Sequence, residues 1–242
     1  MKKWTRVMYQ PNRPLKEGCY VTASKEHIAL SREAAAEGMV LLKNEHKLLP
    51  LKAGSRIALF GKGSFDYVKG GGGSGDVTVS YVHNLYDGFQ MLHDAVSLYE
   101  PLCDFYRANV NEQYDQGSVP GMTTEPALSA GLLAGASAYT DTAVIVLSRF
   151  SGEGWDRSSI EYNGEYNPWE TETSMPKISG EIFPDGDFYL TKEESAMIAQ
   201  VKQHFSRIAV VLNIGGIIDT SWIKNDDQIS SALIAWQGGM EG

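Results

Sequence analysis

The chain has 242 residues, 43% of them hydrophobic, and 30 acidic against 21 basic side chains give it a formal net charge of -9. That length suffices for one large domain that buries roughly three-quarters of its unfolded surface without disulfide or metal staples. The acidic balance, with no basic cluster or Lys/Arg-rich helix, argues against nucleic acid and anionic membrane as partners; two cysteines, Cys19 and Cys103, are too few for a disulfide framework and sit in no metal or redox spacing.

Met1, Lys2 and Lys3 offer a charged start, but residues 4–10 supply no apolar stretch and no later segment reaches a membrane-spanning length, so a cytoplasmic protein is expected. Residues 1–24 read as an extension, with Pro11, Pro14 and Gly18 and no period, and residues 25–242 as one domain. Ser24 caps a helix predicted over 25–37, with Gly38 as its stop, followed by a short strand at 40–42. A second strand at 56–60 leads into a glycine-rich stretch from Gly61 to Gly75. Apolar stripes at spacings of three and four predict helices over 84–95 and 97–110. Turn residues fill 117–127, and a helix is expected over 128–138 before a continuously apolar strand at 142–147.

The stretch 158–190 shows no period, as functional rims and mobile loops do. Thr191 and Glu194 form a capping box that starts a helix to about His204, with Met197, Ile198, Val201 and Phe205 facing the core. Strands follow at 208–212 and 232–236. Strands alternating with helices predict an α/β fold, a three-layer α/β/α sandwich with a mostly parallel sheet.

Three chemical readings compete for the glycine run 69–76. A linker is disfavoured by regular elements on both sides. A phosphate cradle lacks the Gly-Lys-Ser/Thr ending, and the alternative dinucleotide turn at 61–66 has Asp66 where its third glycine belongs. The remaining reading is close backbone approach to a ligand, with the Ser74 hydroxyl as donor and acceptor. Beyond the strand at 142–147 comes Ser-Arg-Phe-Ser-Gly-Glu-Gly-Trp-Asp-Arg, which sets Glu153 between two glycines where ligands of parallel sheets bind. Read alone, Glu153 also suits a solvated loop acid, Asp156 and Arg157 a surface ion pair, and Trp155 either an aromatic wall for a sugar ring or a packing residue. The five histidines are scattered without metal spacing, so no metal site is expected.

Four blocks, HIALSREAAAEGMVLLKNEHKLLPL at 27–51, KGGGGSGD at 69–76, SRFSGEGWDR at 148–157 and AWQGGMEG at 235–242, together resemble the α/β-sandwich domain of family 3 glycoside hydrolases, the β-glucosidase family. The resemblance implies a retaining, exo-acting enzyme that hydrolyses terminal non-reducing β-D-glucosyl residues, with Glu153 as acid/base, Ser74 as a substrate contact and no cofactor. It implies a (β/α)8 barrel of the same polypeptide as partner and bearer of the nucleophile, a β-linked oligosaccharide or glucoside as substrate, and a fragment inactive by itself. Because the family block at 235–242 normally continues, a C-terminal truncation is expected, leaving a strand edge that favours homo-oligomers. Met1 so close to the sandwich suggests permuted domain order. A non-catalytic carbohydrate-binding or interaction module on the same fold is the alternative.

Overall fold

The run beginning at Thr142 is the centre of the molecule: all eight residues of Thr142–Arg149 are buried. The computed structural model describes residues 15–17, 19–20, 24–73, 76–77, 79–152 and 175–242. In chain order these form β1 (Leu15–Lys16), β2 (Cys19–Tyr20), α1 (Lys25–Gly38), β3 (Val40–Asn44), β4 (Ser55–Phe60), α2 (Leu85–Met91), β5 (Val96–Leu98), α3 (Glu100–Asp115), α4 (Ala130–Tyr139), β6 (Thr142–Arg149), α5 (Met175–Ile182), α6 (Lys192–His204), β7 (Arg207–Ile214), α7 (Ser221–Lys224) and β8 (Ile229–Ile234). Strands β3 to β8 build one sheet in the order β3-β8-β7-β6-β4-β5, parallel throughout except for antiparallel β3. No described helix is long and apolar enough to cross a membrane.

Period-two alternation divides the central strands between two cores. Ala58 and Phe60, Ala143, Ile145 and Leu147, and Ile208, Val210 and Leu212 join one cluster with Leu102 and Tyr106 of α3, Leu133 of α4, and Met197 and Val201 of α6. Ile57 and Leu59, Val144 and Val146, and Ala209 and Val211 face the other cluster, against which Leu85 and Phe89 of α2 pack. Helices thus cover both faces of a mostly parallel sheet, as the alternation of elements predicts. The margin at β3 is thinner. Helix α1 buries none of its residues, and Val40, Leu41 and Leu42 are all exposed.

The capping signals are formed as expected. Ser24 Oγ accepts from His27 N–H, and Thr191 and Glu194 exchange side-chain and backbone bonds at the start of α6. Gly38 is the last residue of α1. Three expectations need correction. Residues 96–98, the gap between two expected helices and the start of the second, form strand β5, which pairs with β4; Val96 and Leu98 are buried while Ser97 is not, a period too short to stand out among neighbouring helical stripes. Pro101 then sits in the first turn of α3, where a missing N–H costs nothing. Within the stretch expected to be irregular, residues 175–182 form α5. Strand β8 ends at Ile234 rather than at 236, and Trp236 carries a positive φ of 58°, which no strand accommodates.

Candidate active site

Parallel strands β4, β6 and β7 end at the same edge of the sheet, where α/β folds place their ligands. At the exit of β4, Gly61 has φ 94°, and a Cβ there would lie 2.2 Å from the Val146 carbonyl oxygen; one on Gly63 would lie 2.9 Å from the same atom. These glycines let the turn pack on the backbone of β6. Lys62 is buried, with Nζ committed to Asp66 Oδ2 at 2.9 Å and the Gly121 carbonyl at 3.2 Å. The turn's glycines and its lysine are therefore engaged within the protein, which argues further against the dinucleotide reading of the turn at 61–66.

The glycine run meets the exit of β6 backbone to backbone. Gly72 N–H donates to the Ser151 carbonyl at 3.1 Å, and Gly72 and Gly152 form a parallel bridge. A Cβ on Gly152 would meet Gly72 N at 2.9 Å, and one on Gly71 would meet the Ser151 oxygen at 3.0 Å. Each run is anchored below this contact. Asn213, at the end of β7, accepts from Val68 N–H at 2.6 Å and donates to the Val68 carbonyl at 3.0 Å and the Trp236 carbonyl at 2.7 Å, replacing a strand neighbour. Lys69 Nζ donates to Asp76 Oδ1 and the Val77 carbonyl, closing the base of the run. Gln237 Nε2 reaches the Arg149 carbonyl at 3.4 Å.

Arg149 itself is fully buried. Its guanidinium forms a two-pronged pair with Glu194 at 2.6 and 2.7 Å, donates to the carbonyls of Ser148, Asp187 and Tyr189, and lies 4.5 Å from the centre of the Phe183 ring. Burial alone would raise the Glu194 carboxyl, but the charge and hydrogen bonds of Arg149 outweigh it and hold the group below its ordinary range.

A second buried network stands at the end of β4. Asp66 accepts from Tyr114 OH at 2.6 Å, Thr123 Oγ1 at 2.6 Å and Gly121 N–H at 2.5 Å. Glu125 accepts from Tyr106 OH at 2.8 Å and Lys62 N–H at 2.8 Å, and among the described residues no cationic side chain pairs with its oxygens. Burial pushes Glu125 up to about 7, only partly offset by those two bonds. The Asp66 carboxyl is equally buried, yet Lys62 and the hydroxyl donors keep it below its ordinary value. Cys103 is a buried free thiol, and burial pushes it up to about 12, which makes it inert as a nucleophile.

Of the residues singled out from the sequence, Ser74, Glu153 and Trp155 lie outside the described residues, as do Asp156 and Arg157. What the structure brings together is the backbone immediately before each: Gly72, two residues before Ser74, and Gly152, one residue before Glu153. Sequence reasoning missed Arg149, Glu194, Asn213 and the Lys62–Asp66–Glu125 network. Arg149 and Asn213 carried a signal, since each is a polar residue near the carboxyl end of a strand whose central residues are apolar.

Residues 39–242 match the family described as "Glycosyl hydrolase family 3 C-terminal domain". Beta-glucosidase A of Butyrivibrio fibrisolvens is 54% identical over 243 residues, covering 100% of this chain and 29% of that protein, so the chain spans under a third of this relative's length. Two solved structures share the fold at 30% identity: a β-glucosidase from Paenibacillus barengoltzii (TM-score 0.71, covering 90% of this chain and 22% of that one) and β-glucosidase 3B from Thermotoga neapolitana with α-D-glucose (TM-score 0.72, covering 89% and 28%). Sheet order, family match and relatives agree, and the chain belongs to glycoside hydrolase family 3 through that family's C-terminal domain.

Proposed function

We propose that this chain is the acid/base-bearing domain of a retaining, exo-acting β-glucosidase whose nucleophile belongs to another domain of the full-length protein. The observation that carries this reading is the Gly72–Gly152 bridge, which draws the run leading to Ser74 against the run leading to Glu153 at the ligand-binding edge of the sheet. The names of the relatives support a β-glucoside as substrate, and the glucose complex of the Thermotoga protein supports a sugar ring as its occupant.

Retaining hydrolysis requires two carboxyl groups roughly 5–5.5 Å apart, one attacking the anomeric carbon and one protonating the leaving oxygen, then activating water. Glu153 takes the second role. Exclusion of water around a bound sugar favours the protonated acid needed for the first step. Ser74 hydrogen-bonds a sugar hydroxyl, and Trp155 offers a face for the ring. In the full-length protein, Glu153→Ala is expected to lower kcat/KM for an alkyl β-glucoside by roughly 10²–10⁴-fold. Dinitrophenyl β-glucoside, whose leaving group departs unprotonated, should be nearly unaffected. Equal losses on both substrates would assign Glu153 a structural role and favour a non-catalytic module.

A further inference from the structure

Helix α1 buries none of its 14 residues, although it holds Ile28, Leu30 and a run of alanines at 34–36. It packs against residues 239–241 rather than against a strand, and so stands beside the ligand-binding edge of the sheet instead of covering a face. Just past the end of β8, Trp236 Nε1 donates to the Gly38 carbonyl at 2.9 Å, and a Cβ on Gly238 would lie 3.2 Å from that of Ala35. Arg32 pairs with Glu241, whose other oxygen accepts from Tyr81 OH, and His83 N–H donates to the Met240 carbonyl at 3.0 Å. Gly239 N–H donates to the Lys69 carbonyl at the base of the glycine run. Glu241 thus ties α1, residues 81–83 and residues 239–241 into one platform. Arg32 and Ala35 of α1 turn towards it, whereas Leu30, two residues from Arg32, lies on the opposite side of the helix. Leu30 is 61% exposed, and Ala34, Glu33 and Glu37 share its side of the helix. Tyr81 and Val82 are also exposed, as is Ile217, which follows β7 at the same edge of the sheet.

We propose that this platform seats the domain that carries the nucleophile, through an apolar surface on that domain bordered by basic side chains that face Glu33 and Glu37. The proposal rests on the functional reading above, in which the second carboxyl comes from another domain of the same polypeptide. Two carboxyl groups roughly 5–5.5 Å apart oblige that domain to meet the ligand-binding edge. The exits of β4 and β6 must stay open to the sugar, which leaves the β8 side of the edge for the contact. There the platform presents exposed apolar side chains with a polar border, the mark of an interaction surface, and none of them serves the core of this domain. The chain corresponds to 29% of the Butyrivibrio fibrisolvens relative, so the remainder of such a protein is long enough to supply the partner. Interfaces of this kind fix reacting groups in place, and misplacement by about 1 Å can cost 10²-fold in rate.

The test uses the full-length protein and compares Leu30→Cys with Leu92→Cys. Leu92 is 57% exposed, much as Leu30 is, but it lies near Ala95 at the opposite edge of the sheet, where the Ala95 carbonyl accepts from Gly54 N–H just before β4. Alkylation by a maleimide, followed by mass spectrometry of the labelled peptides, should be at least about 10-fold slower at position 30, because labelling there waits for the domains to part. Equal rates would overturn the proposal, and so would a protection that fades on dilution, which would assign the platform to a second copy of the chain. Leu30→Asp puts a charge into the seat and should lower kcat/KM for alkyl and dinitrophenyl β-glucosides alike, by about 10²-fold, since the nucleophile attacks both. Leu30→Met and Leu92→Asp should stay close to the unaltered protein. Unchanged rates in Leu30→Asp would show that the seated domain is not the one with the nucleophile and would refute the proposal; if that variant fails to fold, the labelling comparison decides. Glu33→Lys combined with Glu37→Lys should give a milder loss that added salt relieves, and a loss indifferent to salt would refute the basic border. Glu153→Ala is measured alongside. If it spares the dinitrophenyl glucoside while positions 30 and 92 label equally fast, only the seat is refuted; if Glu153→Ala lowers both substrates alike, the functional reading falls and the seat with it.

Discussion

Two buried glutamates line the same narrow crevice, with Lys62, Thr123 and Phe183 also in its wall, yet they are held in opposite ways. Glu194 faces a guanidinium at 2.6 and 2.7 Å and stays ionised below its usual range, whereas Glu125 faces a phenol and a backbone N–H and is pushed up to about 7. Burial is nearly complete for both, so the partner decides the charge state. The nearby cation, Lys62, makes its ion pair with Asp66, leaving only its backbone N–H for Glu125. The pair at β6 fixes the base of the Glu153 loop. The network at β4 fixes the turn that precedes the glycine run.

The contrast breaks most sharply at Arg149. Arg149→Met keeps much of the side chain's volume but leaves Glu194 buried against no charge, and is expected to cost about 3–5 kcal/mol in denaturant unfolding. Combining it with Glu194→Leu should recover most of that loss, since replacing both members of a buried pair by apolar groups is often neutral. A loss under about 1 kcal/mol in the single variant would show that Arg149 does not hold Glu194 ionised.

Glu125 and Glu194 should also give opposite pH signatures. Glu125 is raised from an ordinary value of 4.5 to about 7, so its contribution is fully present below pH 4.5 and fades as pH rises towards 7, a loss on the order of 3 kcal/mol. Glu194 is lowered, so its contribution is present above pH 4.5 and is lost as pH falls through its folded value. Glu125→Gln should flatten the unfolding profile between pH 4.5 and 7 without touching the acid limb. An unchanged slope across that window would mean that Glu125 is ionised in the folded protein.

Smaller effects sharpen the same comparison. Tyr106→Phe removes the hydroxyl that reaches Glu125 Oε1 at 2.8 Å and should cost about 1–3 kcal/mol, measured by urea unfolding at pH 5, where the carboxyl is mostly protonated. Lys69→Met removes a partly exposed pair with Asp76 and should change stability by less than about 1 kcal/mol. A larger loss would mean that Lys69 holds the glycine run through more than its ion pair.

Much of the fold was legible because its signals are local. Continuous apolar strands such as β6, the Ser24 cap and the Thr191–Glu194 box each lie within a few residues of chain. Strand β5 was not legible, since three residues cannot display a period and its pairing with β4 is a long-range fact. The same limit hid the polar clusters. Glu194 reads in sequence as half of a capping box, and only packing brings it to Arg149, 45 positions away. The glycines at 71 and 72 announced close backbone approach to a ligand, but not that Gly72 bridges Gly152. The sequence pointed to Ser74 and Glu153 by motif and family likeness, and the structure adds the contact between the backbone segments that lead to them.

The claim that this domain delivers the acid/base is tested most directly by chemical rescue. In the full-length Glu153→Ala protein, with dinitrophenyl β-glucoside as donor, hydrolysis of the glycosyl-enzyme should stall for want of a base, and added azide, which needs no deprotonation, should restore turnover and yield the β-glycosyl azide. Turnover indifferent to azide, with glucose as the sole product, would contradict the assignment and place the acid/base elsewhere.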